Sequence, residues 1–516
     1  MNLLFATQSD SLPLFVELAE ILAKRRGKGR CAFTLADSWA YADWLQRNPG
    51  FESQDHYLLK EWHLTEVRDA DPDYALLERY ERELGGPGLF GAVVADRRLI
   101  MGHDCTYTQD YRRRFSDREL LSILQTAVVE VDRMFEEVKP DAVFTFICVT
   151  LLDYLVYLFA RARGVRVFNL RTTRIGNHVH FSSTINDPSP EFLVAMARVK
   201  REGSPRLEAA RAHIASVRAT HGRYEGVVAA SASPIQQVKV RGGLLAAWRL
   251  SRTWWRYRHS ESFNDNHCPG PLRPLLFKGL LNPLRARRVD RLLRPGYLQT
   301  KDLAGRRFAF YPMHTEPEVS LLVYARPLLN QIEVVRSIAL SLPAGMILVV
   351  KEHPWMVGKR SIGSYRKLLN IPNVILAPPE TEARSWIQAA ALTVVLTSSV
   401  GLEAALLQRP VVSLGHCPFN ALPAEMVRRC ADLMRLPQVL REMLERHDHD
   451  EAALEHYVAA VMECSVKVNL YSVLLGRRFT YNNQSSTFGE DIKRLADYTE
   501  RCLDAPVAEA PEAAEW

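Results

Sequence analysis

The sequence has no run of about 20 apolar residues free of charge, so no segment reads as a membrane-spanning helix. The nearest approach, Ala142 to Ala160, carries Asp153. It divides into a strand (Ala142 to Cys148) and a helix (Leu151 to Arg163), with Val165 to Leu170 as the next strand, which is a βαβ unit. Cysteine is sparse: the residues at 31, 105, 148, 268, 417, 430, 464 and 502 form no CxxC pair, and Cys31 and Cys148 fall in apolar strand-like runs. That spacing argues against a disulfide framework or a zinc site, and free thiols in a reducing cytoplasm are expected. The first residues, MNLLFATQSDS, hold no basic leader and already read as a strand, which gives no sign of a signal peptide.

Net positive charge is also confined to one segment. The formal net charge is +7, yet residues 238–294 hold thirteen lysines and arginines against three acids, so the remainder of the chain is net acidic. Trp248, Trp254, Trp255, Tyr257 and Phe277 are interleaved with these cations, a composition suited to anionic lipid headgroups. Prolines at 269, 271, 274, 283 and 295 break the segment into a linker with short helices. The plainer alternative is a solvated linker whose aromatics pack on both neighbouring domains. No nucleic-acid recognition motif accompanies the patch, so nucleic acid is not an expected partner. The expected location is the cytoplasm, with peripheral contact at the inner membrane.

What is present is an ordinary soluble composition, 47% hydrophobic and 24% charged, in a chain of 516 residues, long enough for two or three domains. Strand and helix alternate from the start. Leu3 to Ala6 is followed by the helical Leu14 to Lys24, with Leu14, Phe15, Leu18, Ile21 and Leu22 at helical spacing, and then by the strand Cys31 to Leu35. From Tyr41 to Asp117 the pattern blurs into charged, aromatic-rich helices and long loops; Arg118 to Val138 is then a long amphipathic helix. A second sheet begins at Arg307, helices are expected after Pro423, and the tail PVAEAPEAAEW is expected to be disordered. The expected division is 1–237 for an N-terminal domain, 238–302 for the basic linker, 303–475 for a C-terminal domain and 476–516 for a final helix and tail.

The chemistry concentrates between Gly345 and Gly415. Met346 to Val350 reads as a buried parallel strand with Lys351, Glu352 and His353 at its carboxyl end. Leu392 to Thr397 repeats the pattern, with Ser398, Ser399 and Gly401 in a turn, a helix from Leu402 to Gln408, and the strand Val411 to Leu414. Ligands in open α/β sheets lie outside such ends, and helix N-termini favour phosphate, so one anionic ligand between the two is expected. Lys351 and His353, two apart, are expected on the same side, where both can donate to a phosphate. Ser399 is either a helix N-cap or a ligand contact. Glu403 lies four residues beyond it, one more than a capping box uses, and can accept from ribose hydroxyls or compensate the helix dipole. His314, Glu316 and Glu318 alternate, which predicts one shared face; a metal site there is disfavoured against a donor-sugar or hydrogen-bonding role, and Glu316, with His353, is a catalytic candidate. Asp10, just past the first strand, is the candidate general base; Arg174 and His178 are candidate donor or acceptor contacts.

KEHP (351–354) and SSVGLEAALLQRPVVSLG (398–415) resemble the C-terminal domain of bacterial capsule polysaccharide biosynthesis proteins, a GT-B glycosyltransferase group that includes Kdo transferases. YPMHTEPEVS (311–320), with Asn330 and Gln331 downstream, resembles the PLHxxPE segment of the same group, with Met313 in place of leucine and Glu316 at a variable position. The resemblance covers Arg307 to Pro423 and, less closely, RTTRIGNHV (171–179). It implies an α/β GT-B fold of two Rossmann-like doubly wound domains facing a cleft, and a nucleotide-sugar donor. Of the CMP-linked and UDP-linked donors it favours the former, such as CMP-Kdo. It also implies a polysaccharide or glycolipid acceptor and a site that uses no metal or other cofactor. His353 and Pro354, with Ser398 and Ser399, map to the nucleotide and phosphate contacts. The alternatives on the same fold are a nucleotide-sugar 2-epimerase, a CDP-glycerol-type glycerophosphotransferase, and a non-catalytic component of an export complex.

Overall fold

A computed structural model describes residues 1–8, 10–86, 88–100, 115–220, 240–257, 281–477 and 486–506. The tail from Val507 onward and a large part of the basic segment lie outside the described residues. In chain order the strands are β1 (Leu3–Thr7), β2 (Cys31–Leu35), β3 (His56–Lys60), β4 (Ala142–Thr145), β5 (Arg166–Thr172), β6 (His178–Ser182), β7 (Phe308–Pro312), β8 (Ile347–Lys351), β9 (Val374–Ala377), β10 (Leu392–Val395), β11 (Val411–Ser413), β12 (Val427–Arg429) and β13 (Val466–Lys467).

They form a seven-stranded sheet, β13-β6-β5-β4-β1-β2-β3, and a six-stranded sheet, β12-β11-β10-β7-β8-β9. The second is parallel throughout, and in the first only β6 runs against the rest, antiparallel to both its neighbours β5 and β13. Each sheet reverses its winding once, between β1 and β4 and between β7 and β10. These are the switch points at which α/β sheets receive ligands. Two Rossmann-like doubly wound sheets open onto a common cleft, so the fold is GT-B.

Local sequence explains the layers. Phe5, Phe33, Phe144 and Phe168 stand in register on four adjacent strands. Their rings stack across the sheet at 5.2, 5.2 and 5.0 Å between centroids, as buried aromatics on one sheet face do. The helix Asp117–Val138 opens with a capping box between Ser116 and Glu119. The six cysteines among the described residues are free.

Two expectations are corrected by packing. The region Tyr41 to Asp117, read as helices and loops, contains β3, a parallel edge strand whose five residues are too few for periodicity to single out. The domain boundaries also shift. Helices Pro190–Glu202 and Leu207–Thr220, within the expected N-terminal domain, send Phe192, Val199, Ile214 and Val217 into a core shared with Trp386, Leu402 and Tyr457 of the second domain. In return, β13 pairs with β6, and helix Phe488–Asp504 packs Ile492 and Leu495 with Phe15 and Leu18 of helix Leu12–Arg26. Among the described residues, these two helices thus join the second domain's core, and the segment after Glu463 returns to the first sheet.

Candidate functional site

A cleft of about 810 Å³ lies between the two switch points. On the second domain's wall, His353 follows β8, His314 follows β7, Ser398 and Ser399 follow β10, and His416 follows β11. These strands are neighbours in the order β8, β7, β10, β11, and a spacing of about 4.8 Å sets the polar residues along about 14 Å. Facing them, Gln8 and Asp10 follow β1, Asp37 follows β2, Thr150 follows β4 and Arg174 follows β5.

The cleft histidines are held from behind. Arg360, fully buried, donates to Glu316 at 2.8 Å and to the carbonyl of His314 at 2.9 Å, and pairs with Glu352 at 2.6 Å. Gln331 reaches the same knot: its Nε2 donates to the His314 carbonyl, and its Oε1 accepts from the His314 N–H at 2.8 Å. Glu352 Oε1 accepts the His353 N–H at 2.8 Å. His353 Nδ1 accepts from the Trp355 N–H at 3.3 Å, and His314 Nε2 from the Thr397 N–H at 3.4 Å. An accepting nitrogen carries no proton, so neutral His353 has its proton on Nε2. Burial pushes both imidazoles down to about 4, with Arg360 adding to the effect at His314. Both are therefore neutral at physiological pH.

Several predicted residues are brought together here: His314, Glu318, His353, Ser398, Ser399, Arg174 and Asp10 all line the cleft. Glu318 accepts from Thr315 Oγ1 at 2.6 Å. Ser398 Oγ accepts the Val400 N–H at 3.3 Å, while Ser399 occupies the N-cap position with no side-chain cap bond. The helix that follows, Val400–Leu406, has seven residues, two turns. Asp10 is gripped by Arg477, which donates to both carboxylate oxygens, one at 3.0 Å, and lies over the rings of Tyr471 and Phe146.

Other predicted residues stand elsewhere. Glu316 turns into the protein toward Arg360 and Gln331, because the buried guanidinium requires carboxylate partners; the alternation of His314, Glu316 and Glu318 does not put all three on one face. Among the described residues no cluster of three His, Cys, Asp or Glu is placed to hold a metal. Lys351 does not share a side with His353. The strand ends at Lys351, whose ammonium donates to the Pro379 carbonyl at 3.0 Å, and burial lowers it to about 8. Gly401 is a packing glycine: a Cβ there would meet the Phe419 ring at 2.6 Å. Glu403 and Gly401 are not among the cleft-lining residues. His178 sits at the β6 edge, bonded through Nδ1 to Ser465 at 2.8 Å, with its imidazole pushed down to about 4 by burial.

Several cleft residues were not predicted, among them four charged side chains. Asp37 caps helix Ser38–Leu45 directly after β2, and an aspartate followed by a serine at a strand end was a readable signal. Arg98, held between Asp96 and Glu61, reaches the wall from a helix that propensity alone does not connect to the sheet. Arg171, paired with Asp187 at 2.6 Å, and Arg477 arrive through long-range folding with no local signature.

Residues 329–422 match the family model of capsule polysaccharide biosynthesis proteins. No curated protein sequence matches the chain. Among solved structures, the beta Kdo 2,7 transferase of Thermosulfurimonas dismutans KpsC is 14% identical, covering 72% of this chain and 90% of its own, at a TM-score of 0.32. The KpsC beta Kdo 2,4 transferase from the same organism is 12% identical over 62% of this chain and 79% of its own, at 0.33. The UDP-GlcNAc 2-epimerase of Methanocaldococcus jannaschii is 11% identical over 90% and 99%, at 0.26. These likenesses are too loose to transfer residue roles. The matched residues, 329–422, include β8, β10 and the Ser398-Ser399 turn, and over that stretch the chain is similar to capsule polysaccharide biosynthesis proteins.

Proposed function

We propose that the protein is a glycosyltransferase that moves a sugar from a nucleotide-linked donor, CMP-linked in preference to UDP-linked, to a surface polysaccharide or lipid-linked acceptor. The observation that carries this reading is the pairing of two switch points across one cleft, with the polar ends of β8, β7, β10 and β11 in a row about 14 Å long. An elongated ligand with a nucleotide at one end and a sugar at the other suits such a row. The cleft volume also falls in the range of small-molecule sites, about 300–1,000 Å³.

In this reading the nucleotide lies by His353 and its phosphate by Ser398 and Ser399. Charge builds on that phosphate as the glycosidic bond breaks. The serine hydroxyls and the Nε2–H of neutral His353 meet it as fixed hydrogen-bond donors, each worth roughly 10²–10³ in rate when preorganised. Asp10 takes the acceptor's proton from the opposite wall, and Arg477 fixes the direction of its carboxylate. The donor half of the site thus works through neutral groups, since Lys351 is turned away.

The test uses the full chain with CMP-, UDP-, GDP- and CDP-linked sugars, with and without a glycan acceptor. Free nucleotide released only when acceptor is present, and lost in His353→Ala and in Ser398→Ala with Ser399→Ala, is the expected result. Interconversion of the sugar on its nucleotide without acceptor would identify an epimerase instead. Failure of every nucleotide to raise the unfolding temperature would remove the donor site altogether.

A further inference from the structure

Helix Val240–Tyr257 carries large apolar side chains into solvent: Leu244 is 53% exposed, Leu245 54%, Trp248 61% and Trp255 64%. At about 100° per residue, Leu244, Trp248 and Trp255 fall within about 40° of arc, so they form one stripe along the helix. Exposed arginines border it. Arg252 lies over the Trp248 ring at 5.8 Å, and Arg249 and Arg256 stand on the flank. Among the described residues no helix is long and apolar enough to cross a membrane, so a lipid contact made by this chain's described helices is interfacial.

We propose that this face of helix Val240–Tyr257 docks on the surface of an anionic phospholipid bilayer, the leucines and tryptophans entering the headgroup boundary and the arginines pairing with lipid phosphates. Charge complementarity selects this occupant. The surrounding segment, 238–294, holds thirteen basic residues and three acids, so a second copy of the same face would set arginine against arginine. Tryptophan and leucine bordered by arginine are the side chains that settle at a lipid interface, apolar bodies inward and cations at headgroup level. The cytoplasmic leaflet supplies the opposite charge.

The helix is also tied to the cleft. Arg256 pairs with Asp43 at 3.4 Å on helix Ser38–Leu45, and Asp37, the cap of that helix, lines the cleft. Asp43 lies six positions beyond Asp37, about 9 Å of helical rise. A bilayer bound at this face therefore lies beside the first domain's wall, the side from which an acceptor carried on lipid would enter.

The experiment is flotation of the full chain with vesicles of phosphatidylcholine plus phosphatidylglycerol, against phosphatidylcholine alone. Binding to the anionic vesicles only is expected. It should weaken several-fold when salt rises from about 0.15 M to about 1 M, which shortens the screening length from about 8 to about 3 Å. Trp248→Glu with Trp255→Glu, and separately Arg249→Glu with Arg252→Glu, should each reduce binding at least tenfold at an unchanged unfolding temperature. Leu340→Glu, at a lone apolar residue 64% exposed on helix Gln331–Ser341, should leave binding intact. Equal binding by the variants and the parent would overturn the proposal. So would a parent that ignores anionic vesicles, or a parent dimer that the tryptophan variant dissociates without changing its flotation.

Discussion

Replacing Arg360 by Gln tests whether the cleft histidines are held from behind. The guanidinium is 1% exposed and serves Glu316, Glu352 and the His314 carbonyl at 2.8, 2.6 and 2.9 Å. Its removal leaves two carboxylates, 5% and 4% exposed, without the cation that joins them. Unpairing one buried ion pair costs about 3–5 kcal/mol, and here one cation serves two anions, which puts the loss near the top of that range. The pH dependence has a definite sign. Burial already raises the Glu316 carboxyl above its ordinary value, and Arg360 opposes that rise. Without Arg360 the folded-state value climbs further above the unfolded one, the folded variant takes up a proton, and its stability falls as pH increases. The deficit against the parent should thus be smaller near pH 5 than near pH 8. Urea unfolding at both pH values measures it, and nucleotide titration of the folded variant reports whether His314 and His353 have lost their placement. A deficit under about 1 kcal/mol, or one that does not change with pH, would refute the reasoning.

Three further outcomes are expected. His178, pushed down to about 4 and bonded to Ser465, contributes stability that is present above the unfolded value near 6.5 and is lost as pH falls toward 4. The cost of His178→Asn in urea unfolding should therefore shrink by on the order of 1–2 kcal/mol between pH 7 and pH 5, whereas a constant cost would contradict the assignment. Gly401→Ala forces a Cβ to 2.6 Å from the Phe419 ring and 3.0 Å from Val395. It should cost about 1–3 kcal/mol, partly recovered with Phe419→Leu, and an unchanged midpoint would mean that the ring yields freely. Asp10→Asn should lower kcat by about 10²-fold or more while the donor KM stays put; a rise in KM alone would make Asp10 a binding residue.

The parts of the site that were legible in the sequence are those in which one short segment supplies both the strand and the polar end. β8 with His353 and β10 with Ser398 and Ser399 are of this kind: an apolar run marks the strand, and the residue after it must lie at the carboxyl edge. Side-chain direction beyond the last strand residue was not legible. Alternation predicts that Lys351 and His353 share a side, but the strand stops at Lys351 and His353 caps the short helix Pro354–Met356, so the period of two no longer applies. The same failure explains Glu316, whose direction is set by Arg360, forty-four residues later.

The return of the chain to the first domain after Glu463 has a consequence for the site that neither domain's sequence carries. Asp10 follows β1, but its partner Arg477 comes from the segment that returns to the first domain after helix Glu451–Glu463, which packs with the second. Tyr457 of that helix lines the cleft, while β13, three residues beyond its end, pairs with β6 of the first sheet. Any rotation of one domain against the other must bend this short connection or move Arg477 relative to Asp10. The first domain's cleft wall is thus joined to the second domain by a short covalent connection. In the proposed reading, weakening the Arg477 grip by Arg477→Gln should free the Asp10 carboxylate from that coupling, lowering kcat while donor affinity, assigned there to His353, Ser398 and Ser399 on the opposite wall, is kept. Equal losses in donor affinity and kcat would show instead that Arg477 helps to shape the donor wall, and would place the two halves of the cleft in one mechanical unit.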